Sequence, residues 1–204
     1  MIKNLKGCNA LVTGAGGGLG GYICRALAAQ GVNLAVADRP GTDLNALLKD
    51  LRASGVRAEP VFADLGSPAE AKTLVAKAEA ALGPLDILVN NAGLEGGGPF
   101  ERLDPENLER TVNVNLMAVV LLTRAALPGM LERGRGHVVT ISSIAGKMAM
   151  AYAAPYSATK SGGAALMRAL SAELDDGRVG FSSIFPGPIA DVGMAADLLG
   201  SKKT

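Results

Sequence analysis

A chain of 204 residues with a net charge of +1 has room for one domain with a substantial core and none for a separate catalytic domain. Hydrophobic residues make up 49% and charged residues 19%; with both signs interspersed, a basic stripe for nucleic acid and a polybasic membrane patch are excluded. Two cysteines, Cys8 and Cys24, are too few for a disulfide framework and have no metal-ligand spacing, so a reducing cytoplasm and no metal are expected.

Short apolar runs alternate with longer segments of helical period, the pattern of repeated strand-helix units and a parallel sheet. The first strand is expected over 9–13. It leads into Thr13-Gly14-Ala15-Gly16-Gly17-Gly18-Leu19-Gly20 and a helix over 19–30. Free N–H groups and the dipole at that helix start suit a pyrophosphate. Gly14, Gly18 and Gly20 let the backbone come close to it. A second strand over 33–37 ends at Asp38, placed to accept hydrogen bonds from ribose hydroxyls. That favours NAD over NADP, whose extra phosphate the carboxylate would repel. Arg39, next in line, is either a partner for that phosphate or a solvated loop residue.

A helix over 43–54 and a third strand over 56–63 follow, then Asp64-Leu65 and a helix over 68–82 with Pro68 in its first turn. The fourth strand, 87–90, runs into Asn91-Ala92-Gly93. Beyond it Glu95-Gly96-Gly97-Gly98-Pro99 is either a rim of an active site or a plain connection. A long helix over 105–133 starts at Pro105 and carries Asn113-Val114-Asn115-Leu116. The single histidine, His137, begins the fifth strand, 137–142, and reads as a partly exposed polar residue. That strand closes on Ser142-Ser143. The last helix, 155–175, carries Tyr156-Ser157-Ala158-Thr159-Lys160, and a sixth strand over 180–185 ends in Pro186-Gly187.

Tyr156 and Lys160 are four residues apart and therefore share a helix face. A phenol has an ordinary pKa of about 10, and a unit charge at about 4 Å is worth about 4 kcal/mol at an effective dielectric of 20. The ammonium is thus expected to lower the phenol's pKa by up to roughly three units, towards the range useful for proton transfer.

The ordered set of motifs resembles the short-chain dehydrogenase/reductase family over nearly the whole chain. The motifs are the glycine loop, Asp64-Leu65, Asn90-Asn91-Ala92-Gly93, Asn113-Val114-Asn115-Leu116, Ser143, Tyr156 with Lys160, and Pro186-Gly187. The resemblance implies an α/β fold: one Rossmann-like domain over 1–204, a doubly wound parallel sheet with helices on both faces. It implies an NAD-dependent oxidoreductase moving hydride between the cofactor and a secondary alcohol or ketone. In such enzymes Tyr156 exchanges the proton with the substrate oxygen and Ser143 orients that oxygen. Lys160 binds the nicotinamide ribose, and Asn115 holds a relay water. Asp64 and Leu65 flank the adenine, Asn91, Ala92 and Gly93 line the cleft, and Pro186, Gly187 and Ile189 approach the nicotinamide. The other reading is a non-catalytic dinucleotide-binding sensor of the same fold.

Two departures from the family pattern stand out. The family commonly has a threonine shortly after Pro-Gly, where this chain has Pro188-Ile189-Ala190-Asp191. The chain also ends sooner than family members usually do, so a shortened C-terminal segment is expected. A homodimer, with a tetramer as the alternative, is expected through the 105–133 and 155–175 helices, which resemble the pair through which family members associate. A mostly apolar pocket is expected beside Leu94, Met148, Met150, Tyr152, Pro188 and Met194.

Overall fold

The computed structural model describes residues 2 and 4–189. Six parallel strands lie in the order β3-β2-β1-β4-β5-β6. They are β1 (Asn9–Thr13), β2 (Asn33–Asp38), β3 (Ala58–Phe62), β4 (Ile87–Asn90), β5 (Gly136–Ile141) and β6 (Val179–Ile184). The helices are α1 (Gly18–Ala29), α2 (Asn45–Ala53), α3 (Pro68–Leu82), α4 (Pro105–Val112), α5 (Ala118–Glu132) and α6 (Ala154–Glu173). The Rossmann-like doubly wound sheet expected from the sequence is the architecture found.

Strand alternation divides the core between two faces. Leu11 of β1, Leu88 of β4 and Val138 of β5 pack with Leu74 of α3, Leu122 and Met130 of α5 and Met167 of α6. Ala10 and Val12 point the other way, towards Cys24 of α1 and Leu47, Leu48 and Leu51 of α2. Each leucine buried in this way contributes about 1.5–3 kcal/mol. On the α1 side an apolar groove of about 620 Å³ runs over β4, β5 and β6, lined among others by Leu19, Ile23, Val89, Val139 and Ile184.

Helix starts follow local chemistry. Ser67 accepts a hydrogen bond from the Glu70 N–H at 3.4 Å, and Asp104 accepts one from the Asn107 N–H at 3.3 Å. Pro68 and Pro105 occupy the first turns behind these caps, where a missing N–H costs nothing.

The structure departs from the expected elements at several points. The third strand is shorter than 56–63, because Val56 and Arg57 only lead into it and Ala63 lies just past its end. Asp38 is the last residue of β2. The single helix expected over 105–133 is interrupted by a π turn at Asn113–Met117, between α4 and α5. Apolar periodicity does not register a one-residue widening of the hydrogen-bond ladder, a feature that recurs at functional sites. Short 3₁₀ turns at Phe100–Arg102 and Ile144–Gly146 were not expected.

Candidate active site

Strand order reverses between β1 and β4, which opens a crevice at their carboxyl ends, the place where ligands enter open α/β sheets. Thr13 holds the two strand ends together. Its hydroxyl donates to the Val89 carbonyl at 3.3 Å and accepts from the N–H groups of Asn91 and Ala92 at 3.0 and 3.1 Å. The Asn91 amide returns hydrogen bonds to the carbonyls of Thr13 and Gly14 at 2.9 and 3.2 Å. Sequence reasoning placed Asn91 and Ala92 here and missed Thr13, whose role depends on β1 and β4 being neighbours.

Glycine is required at two points of the loop. Gly14 has φ +64°, and a Cβ there would lie 2.8 Å from the Cα of Ala92; a Cβ on Gly20 would meet the Gly14 carbonyl. Gly17 caps α1 with no side-chain bond, and the first turn holds no acidic residue. The start of the helix therefore keeps its positive end for an external anion, and the cradle fits a dinucleotide pyrophosphate. Gly18 and Leu19 open this first turn.

Asp38 stands across the loop with its carboxylate held in place. Oδ2 accepts from the Gly16 N–H at 2.8 Å, and Oδ1 accepts from the Arg39 N–H at 2.8 Å and the Thr42 hydroxyl at 3.1 Å. Arg39 is exposed. Asp64 accepts from the Gly66 N–H at 2.9 Å and receives both terminal nitrogens of Arg110 from α4 at 3.0–3.2 Å. The Gly66 N–H first, and then the Arg110 guanidinium, hold the Asp64 carboxyl below its usual range. Leu65 is packed against the core beneath it. Arg110 lies far from Asp64 in sequence, so no local pattern announced it, whereas Thr42 stands only four residues after Asp38 and was passed over.

A polar cluster lies beyond β4 and β5. The buried Asn115 side chain, carried on the π turn, accepts from the Leu94 N–H at 2.7 Å and donates to the Leu94 carbonyl at 2.8 Å. It also donates to Thr159 Oγ1 at 3.3 Å, and that hydroxyl donates to the Tyr156 carbonyl at 2.8 Å. Lys160 is 5% exposed, and its Nζ donates to the Ile141 carbonyl at 2.9 Å. A Cβ on Gly93 would stand 3.1 Å from that ammonium. Ser143, at the end of β5, accepts from the Ala145 N–H at 3.2 Å and shares a hydrogen bond with the Tyr156 hydroxyl. The structure thus brings Asn115, Ser143, Tyr156 and Lys160 together, with Gly93 against them. Pro186 is tied to the same region through its carbonyl, which accepts from the Ile144 N–H at 2.9 Å. Gly187 is exposed and Ile189 half-buried.

The electrostatics correct the expectation for the phenol. Burial raises the Tyr156 pKa, against the lowering effect of its Ser143 hydrogen bond; the Glu95 carboxylate raises it further. Lys160 Nζ lies 5.6 Å from the ring centroid and is directed to a carbonyl. Burial also brings the lysine itself down to about 8. Helix spacing placed the two residues on one face but carried no information about desolvation.

The apolar rim expected around this cluster is partly present. Met148, Met150 and Tyr152 are 64%, 51% and 70% exposed. Tyr152 has φ +62°, a left-handed conformation costly for a side-chain-bearing residue. Pro188 is exposed. Met194 and Asp191 lie outside the described residues, as does the expected C-terminal departure from the family. His137 is half-buried, with Nε2 2.9 Å from Ser182 Oγ, and faces the apolar groove rather than the polar cluster.

The family model for short chain dehydrogenases matches residues 8–202. A ketoacyl reductase, HetN, of Nostoc sp. is 37% identical over 196 residues, covering 96% of this chain and 68% of that protein. Nodulation protein G of Azospirillum brasilense is 39% identical over 181 residues, 88% of this chain and 74% of the relative. Among solved structures, a variant of the actinorhodin polyketide ketoreductase with NADPH is 39% identical with a TM-score of 0.88, covering 95% of this chain and 75% of its own. Levodione reductase is 27% identical with a TM-score of 0.89, covering 97% of this chain and 78% of its own.

Proposed function

From the premise that the chain belongs to the short-chain dehydrogenase family and is an NAD(P)-dependent oxidoreductase acting on CH–OH or keto groups, we propose that it reduces an apolar ketone with NADH through Ser143, Tyr156, Lys160 and Asn115. The observation that carries this reading is the convergence of those four side chains beside the crevice whose glycine cradle fits a pyrophosphate. A sensor that only bound a dinucleotide would not need a buried ammonium beside a tyrosine hydrogen-bonded to a serine.

Gly14, Gly18, Leu19 and Gly20 hold the pyrophosphate. Asp38 takes the adenosine ribose, Asp64 and Leu65 border the adenine, and Asn91, Ala92, Gly93, Pro186, Gly187 and Ile189 line the nicotinamide end. Bound there, the cofactor supplies hydride to the carbonyl carbon. Ser143 donates to the substrate oxygen, and Tyr156 gives it a proton. A phenol whose pKa is raised by burial is protonated at neutral pH, which suits an acid in the reductive direction. Asn115 holds the Leu94 segment and, with Lys160, the path by which Tyr156 regains its proton.

Asp38 supports NAD. Its carboxylate is locked by three hydrogen bonds within the chain, so it is unable to turn away from a 2′-phosphate. Arg39 is the residue that would favour NADP, the cofactor form present in two solved relatives. A panel of apolar ketones with NADH and NADPH, followed by loss of nicotinamide absorbance, tests the whole reading. Turnover with NADH preferred is expected; cofactor binding with no turnover on any ketone would favour the sensor.

The run Pro105–Glu132 is 28 residues long and apolar enough to cross a membrane by length and composition, yet it is partly buried against the rest of the domain. Its remaining apolar surface, including Val112 and Met117, supports a homodimer through this helix and α6. Light scattering is expected to give twice the chain mass, and a monomer at all concentrations would remove the dimer. Both cysteines are buried and free, in keeping with a cytoplasmic protein.

A further inference from the structure

The segment Glu95-Gly96-Gly97-Gly98 is pinned at both ends around the proposed acid. Before it, both backbone groups of Leu94 are held by the Asn115 side chain at 2.7 and 2.8 Å. After it, the Gly98 N–H donates to the Tyr152 carbonyl at 2.7 Å. Tyr152 stands four residues before Tyr156, in the turn that leads into α6. The two anchors therefore tie the segment to both sides of the site.

Its middle is packed too closely for side chains. A Cβ on Gly97 would stand 2.8 Å from the Tyr152 carbonyl oxygen, and one on Gly96 would stand 3.1 Å from Thr111 Oγ1. Gly98 has φ +141°. Glu95 is thus the one residue of the four with a side chain, and that side chain is exposed. Its carboxylate lies close enough to Tyr156 to disfavour the phenolate electrostatically. A negative charge so placed acts equally on any charge the substrate carries near its carbonyl.

We propose that Glu95 is a specificity-determining residue, a negative charge carried by this anchored segment at the mouth of the site, that rejects ketones bearing a carboxylate next to the reacting group and admits neutral or cationic ones. This rests on the oxidoreductase reading above for its substrate carbonyl. The mechanism is Coulombic repulsion, and it weakens with salt because the carboxylate is exposed.

A matched pair of probes tests it: ethyl acetoacetate and acetoacetate present the same ketone with and without a charge. The ratio of kcat/KM for ester over acid is measured with NADH at pH 7 for the wild type, Glu95→Gln and Glu95→Lys. The ratio is expected to fall about fivefold in Glu95→Gln, further in Glu95→Lys, and to fall with added salt in the wild type alone. An unchanged ratio in both variants overturns the proposal. Calorimetric binding of the same two compounds to the protein with NAD+, which cannot reduce a ketone, reads the same ratio without turnover. Absence of turnover with a charge-dependent binding ratio would therefore sink the oxidoreductase reading and leave the charge filter standing. Equal binding of the two compounds, or binding of neither, would sink the filter.

Discussion

The half of the sheet built on β1–β3 and the half built on β4–β6 treat polar groups differently. Around the first, Asp38 has both carboxylate oxygens occupied and Asp64 is held by Gly66 and Arg110. Around the second lie the buried side-chain oxygens that lack a partner among the described residues: Asn90 Oδ1, Thr140 Oγ1, Ser157 Oγ and Ser183 Oγ. Each orphan of this kind costs about 1–3 kcal/mol. The same half carries the buried Lys160 ammonium and the left-handed Tyr152. One half is a satisfied binding frame; the other holds unfavourable polar arrangements where the proton chemistry is proposed, as expected when a site is preorganised at the expense of stability.

The contrast breaks most readily at Tyr156. Replacement by phenylalanine is expected to lower kcat by about 10²–10⁴ while fluorescence titration shows NADH binding retained. A rate equal to the wild type would detach the chemistry from this half of the molecule.

The buried lysine offers the next largest effect. Its ordinary pKa of 10.5 falls to about 8 in the fold because burial penalises the ammonium. Between those values the unfolded chain holds the proton that the folded chain has released, so stability rises with pH across that window. Below about 8 both states are charged, and the fold carries a penalty of up to about 3 kcal/mol. Lys160→Met removes the titrating group. The stability difference between wild type and variant in urea is expected to move towards the wild type from pH 8 to 10.5. A flat difference would mean that the ammonium is well solvated.

Asp38→Ala should act only on the frame and by the smallest amount. The preference for NADH over NADPH, as a ratio of kcat/KM values, is expected to fall about tenfold, equivalent to about 1.4 kcal/mol. Activity lost equally with both cofactors would show instead that Asp38 mainly supports the loop through Gly16 and Thr42.

Legibility in the sequence followed the same division. The glycine loop, Asp38 and the strand-helix alternation were readable because each depends on neighbours within a few residues. The Tyr156–Lys160 spacing was equally local. The direction of the phenol's pKa was misjudged because it depends on burial and on Glu95, some sixty residues earlier in the chain. The π turn that presents Asn115, the Thr13 link between β1 and β4, and the Arg110 clamp on Asp64 were all invisible for a related reason. Each joins segments that meet only when the sheet is assembled.

By itself the amino-acid order determined a parallel α/β sheet, a phosphate-ready loop and the placing of Tyr156 and Lys160 on one helix face, since periodicity and spacing are properties of the chain alone; Ser143 and Asn115 entered only through the family resemblance. The tertiary structure decided which of those groups are dry, which are held, and what charge faces them. Desolvation and Coulomb interactions act through space, and only the folded arrangement sets those distances.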